Sequence, residues 1–116
     1  MEYIYHITDE ASWERAVRVG SYATESLAAE GFIHCSTENQ VAGTLSRYFS
    51  GRTDLVLLKI QVGHITQSLR LEPAHDELFP HLYSPLPCSA VETVYRLELY
   101  PDGSFSQREL TGGSGS

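Results

Sequence analysis

The chain has only two cysteines, Cys35 and Cys88, among 116 residues. No C-x-x-C pair is present, which excludes a zinc ribbon and a thioredoxin-type redox motif. Basic residues are scarce too: eight Lys and Arg stand against fifteen Asp and Glu, a formal net charge of −7 at pH 7. Such an acidic surface repels phosphate backbones, so no nucleic-acid partner is expected. No apolar run is long enough to span a bilayer and no secretory signal opens the chain. A membrane partner is therefore not expected, the cytoplasm is the expected location, and both thiols are expected free. No GxGxxG or Walker sequence follows the first strand-like segment, so a Rossmann or P-loop reading has no support.

Hydrophobic residues make up 41% and charged residues 20%, the composition of an ordinary globular domain. The length fits one domain, over residues 1–110. The tail "TGGSGS", residues 111–116, has the composition of a flexible, vector-derived linker. Nothing in the residues calls for an oligomer, and a monomer is the default.

The segment "EYIYHIT" predicts a strand from Tyr3 to Ile7. Asp9 then caps a helix through "EASWERAVRVG", closed by Gly20, and "TESLAAEG" predicts a short helix between Thr24 and Gly31. Phe32 to Cys35 reads as a second strand. Thr37 with Gln40 forms a capping box for a helix through "ENQVAGTLSRYF", stopped at Gly51. "DLVLLKIQV" is the most apolar strand and predicts a central place in a sheet. "SLRLEP" predicts a strand ended by Pro73, and residues 74–89, with three prolines in "FPHLYSPLPCS", read as one long loop. "AVETVYRLELY" alternates, with Val91, Thr93, Tyr95, Leu97 and Leu99 on one face, and "PDG" turns it into a closing hairpin with "SFSQREL". The predicted class is α+β: a mixed, mainly antiparallel sheet, with two to three helices in the N-terminal half.

Strand parity singles out the residues that could carry chemistry. Ile4, His6 and Thr8 share one face, as do Phe32, His34 and Ser36, so His6, Thr8, His34 and Ser36 converge if the strand ends lie side by side. Cys35 then points into the core. Ser36 and Thr37 serve equally well as helix caps. His75, His81 and Tyr83 add polar and aromatic groups from the predicted loop. His81 has two balanced readings, a ligand contact or a loop-stiffening hydrogen bond. Arg47 and Tyr48 follow on the third helix; a cation near a helix C-terminus also suits the dipole. A triad of Ser36, a histidine and Asp76 has no nucleophile-elbow sequence behind it. A metal site built from His6, His34, His75 and His81 lacks HxH or HExxH spacing and ranks last.

The segments "IYHIT", "SLAAEGFIHCSTENQV", "TLSRYF", "LVLLKI" and "FPHLYSPL" together resemble the small bacterial family DUF952, across nearly all of the chain before the tail. The resemblance implies a fold similar to the ADP-ribosyltransferase group, with a cleft that binds NAD or another ADP-ribose-containing nucleotide. The "YH" pair, Tyr5-His6, then matches the strand whose histidine holds a ribose, with Thr8 after it. His34 or Ser36 matches the second motif position, and Glu72 or His81 stands where the group has its glutamate. In this reading His34, Ser36 and His81 are the candidate catalytic residues. His6, Thr8, Arg47, Tyr48 and Tyr83 are the candidate nucleotide contacts. If the cleft is catalytic, the resemblance implies an NAD-dependent transferase or glycohydrolase. The alternatives are a non-catalytic ligand-binding or protein-interaction module and, last, a metal-assisted hydrolase using the histidines.

Overall fold

The computed structural model describes residues 1–110. The tail read above as a linker lies outside the described residues. Strand β1, Tyr3–Asp9, pairs antiparallel with β4, Leu55–Gln61. Strand β4 also pairs with β8, Val91–Leu99, and β8 pairs with β9, Phe105–Glu109, giving the order β1-β4-β8-β9. The most apolar stretch therefore does sit between two neighbours, where both of its faces are covered.

Three helices separate β1 from β4 in sequence: α1 at Glu10–Val19, α2 at Glu25–Glu30 and α3 at Val41–Tyr48. Their ends follow the cap residues. The Asp9 carboxylate accepts from Ser12 N at 2.8 Å, and Thr24 Oγ1 accepts from Leu27 N at 3.2 Å. Gly20 and Gly31 close α1 and α2 at φ 100° and 93°, a left-handed conformation that side chains disfavour. Gln40 accepts from Thr37 N at 2.9 Å, starting a 3-10 turn that leads into α3.

A second sheet has the order β3-β6-β5, with β3 at Ile33–His34, β5 at Leu69–Ala74 and β6 at Glu77–Leu82. A two-stranded ribbon joins β2, Ser21–Tyr22, to β7, Leu86–Pro87. The named strand pairings among the described residues are all antiparallel, so the predicted α+β class with three early helices holds.

The expected loop over residues 74–89 is corrected: most of it is strand. His75 and Asp76 take positive φ, 52° and 64°, making a two-residue hairpin turn between β5 and β6. Pro80 lies inside the middle strand, which its lack of an N–H argues against. Its carbonyl accepts from Cys35 N at 3.0 Å, but it has no proton to give back. Pairing of β3 with β6 ends there, and the chain crosses to β1 through the Tyr5–Ser36 bridge. A second correction concerns Val91. The register shifts between Lys59 and Ile60, so Lys59 faces Thr93 while Ile60 faces Val91. This bulge turns Val91 to the opposite face from Tyr95, Leu97 and Leu99.

The two faces of the four-stranded sheet bury different cores. Ile4, Val56, Leu58 and Ile60 pack with Ala16, Tyr22, Ile33, Cys35, Leu82 and Leu86. Tyr5, Ile7, Leu55 and Leu57 pack with Leu97 and with Val41 and Leu45 of α3.

Candidate functional site

Strand β1 is the edge of its sheet, and β3 is the edge of the other. The two edges are tied at one place. Tyr5 N donates to Ser36 O at 2.8 Å, and Ser36 N donates to Tyr5 O at 2.7 Å. A cavity of about 640 Å³ lies at this junction, closed by α3 and by the β5–β6 turn. That size is typical of small-molecule sites. Its lining is largely aromatic, with Arg47 and Glu30 as the only Arg, Lys, Asp or Glu side chains.

His6 holds the junction rather than opening freely into it. The His34 carbonyl can only accept, so His6 Nδ1 donates to it, at 2.6 Å. His6 Nε2 lies 2.8 Å from the Tyr22 hydroxyl, which in turn is 2.8 Å from Thr8 Oγ1. Burial pushes the His6 imidazole down to about 4, against the pull of the His34 carbonyl, so the ring is neutral at pH 7. Burial also pushes the Tyr22 phenol up to about 12.

The expected convergence of His6, Thr8, His34 and Ser36 on one face is met only in part. His6, His34 and Ser36 all border the cavity, and Thr8 does not. Thr8 and His6 meet through Tyr22, a residue of the unrecognised ribbon. Bridge partners share a face, so Ser36 goes with Tyr5 toward α3, where Ser36 Oγ lies 3.0 Å from Thr44 Oγ1. The two strands share one bridge rather than an extended ladder, so their face parity is not carried from one to the other. Cys35 is as expected: free, 4% exposed, and with its thiol pushed up to about 12 by burial.

His34 and His81 are register partners on β3 and β6, with ring centroids 5.5 Å apart. Phe32 stacks on His81 at 4.0 Å, and its ring centroid is 4.7 Å from that of His34. His34 Nε2 lies 2.8 Å from Glu30, and His81 Nδ1 lies 2.7 Å from Glu72. Glu72 also accepts from the Tyr83 hydroxyl. The Tyr83 bond, then the His81 bond, holds the Glu72 carboxyl below its usual range, and the same carboxylate raises the Tyr83 phenol. Of the two candidates for the glutamate position, His81 borders the cavity and Glu72 stands behind it. Tyr83 borders a separate shallow hollow with Arg70 and Glu72.

Arg47 and Tyr48 of α3 line the cavity, and the Tyr48 hydroxyl is 2.8 Å from His75 Nε2 at the hairpin tip. No three His, Cys, Asp or Glu side chains among the described residues form a metal-holding group. Both His6 nitrogens are already engaged, and His75 is drawn to Tyr48, so the four histidines do not converge. The exposed Asp76 sits in the β5–β6 turn, outside the cavity lining, which leaves the triad with Ser36 unformed.

Sequence reasoning missed Tyr22, Glu30 and Thr44. Thr44 was legible: it stands three and four residues before Arg47 and Tyr48, on the same helical face. Glu30 is four residues before His34, but the break at Gly31 hides that relation. Tyr22 sits in a two-residue strand with no periodic signal.

The family model described as "Protein of unknown function (DUF952)" matches residues 7–94. The chain belongs to this family. Three solved structures of the protein CC0527 from Caulobacter crescentus are similar to it. The crystal structure is 34% identical, covers 90% of this chain and 93% of its own, and superposes with a TM-score of 0.83. A double-methionine variant of the same protein gives 34% identity, the same coverage and a TM-score of 0.82. The solution NMR structure is 32% identical, covers 100% of this chain and 97% of its own, and has a TM-score of 0.77. No curated protein matches the chain. The names of these structures mention no ADP-ribosyltransferase, so that part of the expected fold is not shown by them and stays what the family resemblance implies. Among the described residues, no helix is long and apolar enough to cross a membrane.

Proposed function

We propose that this DUF952 protein binds a small nucleotide in the junction cavity, with NAD or another ADP-ribose-containing molecule as the ligand class. The observation that carries the reading is the lining itself. One cavity of about 640 Å³ gathers the aromatic rings of Phe32, Tyr48, Phe49 and Phe79, the guanidinium of Arg47 and the hydroxyls of Ser36 and Thr44. A nucleotide needs these three chemistries. Its base gains from stacking on aromatic faces. Its phosphates suit an arginine, whose planar fork matches phosphate oxygens. Its ribose hydroxyls need hydrogen-bonding partners, which Ser36, Thr44 and His34 can supply.

In this reading His6 and Thr8 act from behind: their network with Tyr22 fixes the His34 carbonyl and the floor of the cavity. Arg47 and Tyr48 meet phosphate or base. His34, Ser36 and His81 face the ribose and any reacting bond, and Tyr83 acts at one remove, through Glu72.

The test is a thermal-shift panel of NAD, ADP-ribose, AMP and adenosine on the full chain. A ligand at a hundred times its Kd stabilises the fold by about 2.7 kcal/mol, a readable rise in melting temperature. ADP-ribose or NAD should raise it, adenosine should raise it less, and Arg47→Ala should remove most of the difference between them. A panel in which none of the four nucleotides shifts the transition would contradict the proposal.

A further inference from the structure

Two imidazoles border one point of the cavity, each paired with a carboxylate: Glu30 in the lining with His34, and Glu72 behind His81. Glu72 orients the His81 ring from Nδ1, and Tyr83 fixes Glu72 in turn. Phe32 lies nearly parallel to the His81 ring, at 14°, and holds its plane. Glu30 orients the neighbouring His34 ring from Nε2. A carboxylate at one ring nitrogen sets the tautomer and leaves the lone pair on the other. Those other nitrogens, His81 Nε2 and His34 Nδ1, have no hydrogen-bond partner among the described residues. No buried side-chain nitrogen or oxygen of the unexposed residues described lacks a partner, so His81 Nε2 is accessible, and His34 is itself an exposed residue. Both rings border the same cavity.

We infer that His34 and His81 are a general acid–base pair that hydrolyses a phosphate ester or anhydride bond of the bound ligand, aimed by Glu30 and Glu72. The inference rests on the nucleotide reading above. His81 Nε2 takes a proton from a water whose oxygen attacks phosphorus. The bond from phosphorus to the leaving oxygen breaks, and His34, protonated on Nδ1, gives that oxygen its proton. Water thus supplies the new oxygen on phosphorus, the leaving group departs as an alcohol or a phosphate, and proton exchange with solvent resets both rings. The assignment of roles follows exposure. His34 is the more exposed ring, open to the solvent that must reprotonate an acid, whereas His81 is buried with Glu72 at Nδ1, which holds the lone pair of a base in place. Arg47 faces the charge on the phosphoryl oxygens.

The N-glycosidic bond is the poorer target. Breaking it builds oxocarbenium-like positive charge on the ribose, which a free carboxylate in the lining would stabilise. Here Glu30 is the only carboxylate in the lining and is engaged by His34, while Glu72 stands behind His81.

The experiment follows ADP-ribose, NAD and bis(p-nitrophenyl) phosphate with the full chain in ¹⁸O-water, by phosphorus NMR and mass spectrometry. The expected result is ¹⁸O in a new phosphate product, with His81→Ala and His34→Ala each about 10²–10⁴-fold slower. Glu30 and Glu72 are positioning residues, so Glu72→Gln should lower kcat with KM nearly unchanged and displace the acid limb of the pH–rate profile. If His81→Ala does not fold, His81→Gln with a wild-type melting temperature replaces it. Binding of ADP-ribose or NAD at the cavity without turnover of any of the three compounds would overturn this inference and leave the binding reading standing. Nicotinamide release from NAD with no phosphate product would also overturn it. Failure of both nucleotides to bind would sink the binding reading. His81-dependent turnover of bis(p-nitrophenyl) phosphate would then still support the acid–base pair, and its absence would overturn that pair as well.

Discussion

His6 makes the protein acid-sensitive in a way that can be worked out in advance. Its folded-state value is lowered from the ordinary 6.5 to about 4 by burial. Above pH 6.5 the ring is neutral in both folded and unfolded chains and contributes no pH dependence. Between 6.5 and 4 the unfolded chain takes up a proton that the native chain refuses, so stability falls as the pH falls. Each pH unit of this gap is worth about 1.36 kcal/mol, so the loss approaches about 3 kcal/mol at pH 4. The perturbation is His6→Asn, which removes the titrating group and keeps a polar side chain near the His34 carbonyl. Urea melts followed by circular dichroism at pH 7, 6, 5 and 4 give the stability of each chain. The variant is expected to be weaker at pH 7 by about 1–3 kcal/mol, because the buried Tyr22 hydroxyl loses one of its two partners and keeps only Thr8. Its slope below pH 6.5 should be shallower than the wild-type slope by the His6 contribution. Other titrating groups act alike in both chains and cancel in the difference. Parallel pH curves for the two chains, or a His6 ring that titrates near 6.5 by NMR, would refute the reasoning.

Further outcomes follow from the same geometry. Tyr22→Phe leaves His6 Nε2 buried without a partner and should cost about 1–3 kcal/mol in denaturant melts; a neutral result would break the His6–Tyr22–Thr8 network. Gly20→Ala forces a side chain into the left-handed cap of α1 and should cost about 1–2 kcal/mol in the same melts. Cys35 should react with a thiol reagent only as fast as the chain unfolds, and rapid native-state labelling would place it outside the core. Phe32→Ala should free the His81 ring and weaken nucleotide binding at least several-fold by titration, while leaving the sheet intact by circular dichroism.

Much of the fold was legible because local and tertiary demands agree in it. Asp9, Thr24 and Thr37 cap helices that their own sequences favour, and β4 is apolar on both faces because neighbours cover both. The segment from Ala74 to Pro87 was not legible, because three prolines there suggest a loop by local chemistry. Tertiary pairing overrides them: Pro80 needs only its carbonyl where the β3 ladder stops, and His75 and Asp76 accept a left-handed turn. The bulge opposite Ile60 was equally hidden, since the alternation of Val91 to Leu99 runs through it unbroken in sequence. At the site, strand parity found His34 and the buried place of Cys35. It misjudged Thr8 and the facing of Ser36 because one bridge, not a ladder, joins β1 to the second sheet. Glu30 and Tyr22 depend on chain crossings that no local pattern records.

The central claim is that the junction cavity is a nucleotide site, and one measurement tests it directly: an amide NMR titration of the full chain with ADP-ribose. The account predicts saturable shifts concentrated at Phe32, His34, Ser36, Arg47, Tyr48 and His81, with Phe105 to Glu109 of β9 unmoved. An unchanged spectrum at millimolar ADP-ribose, or shifts confined to β9 and α1, would contradict it.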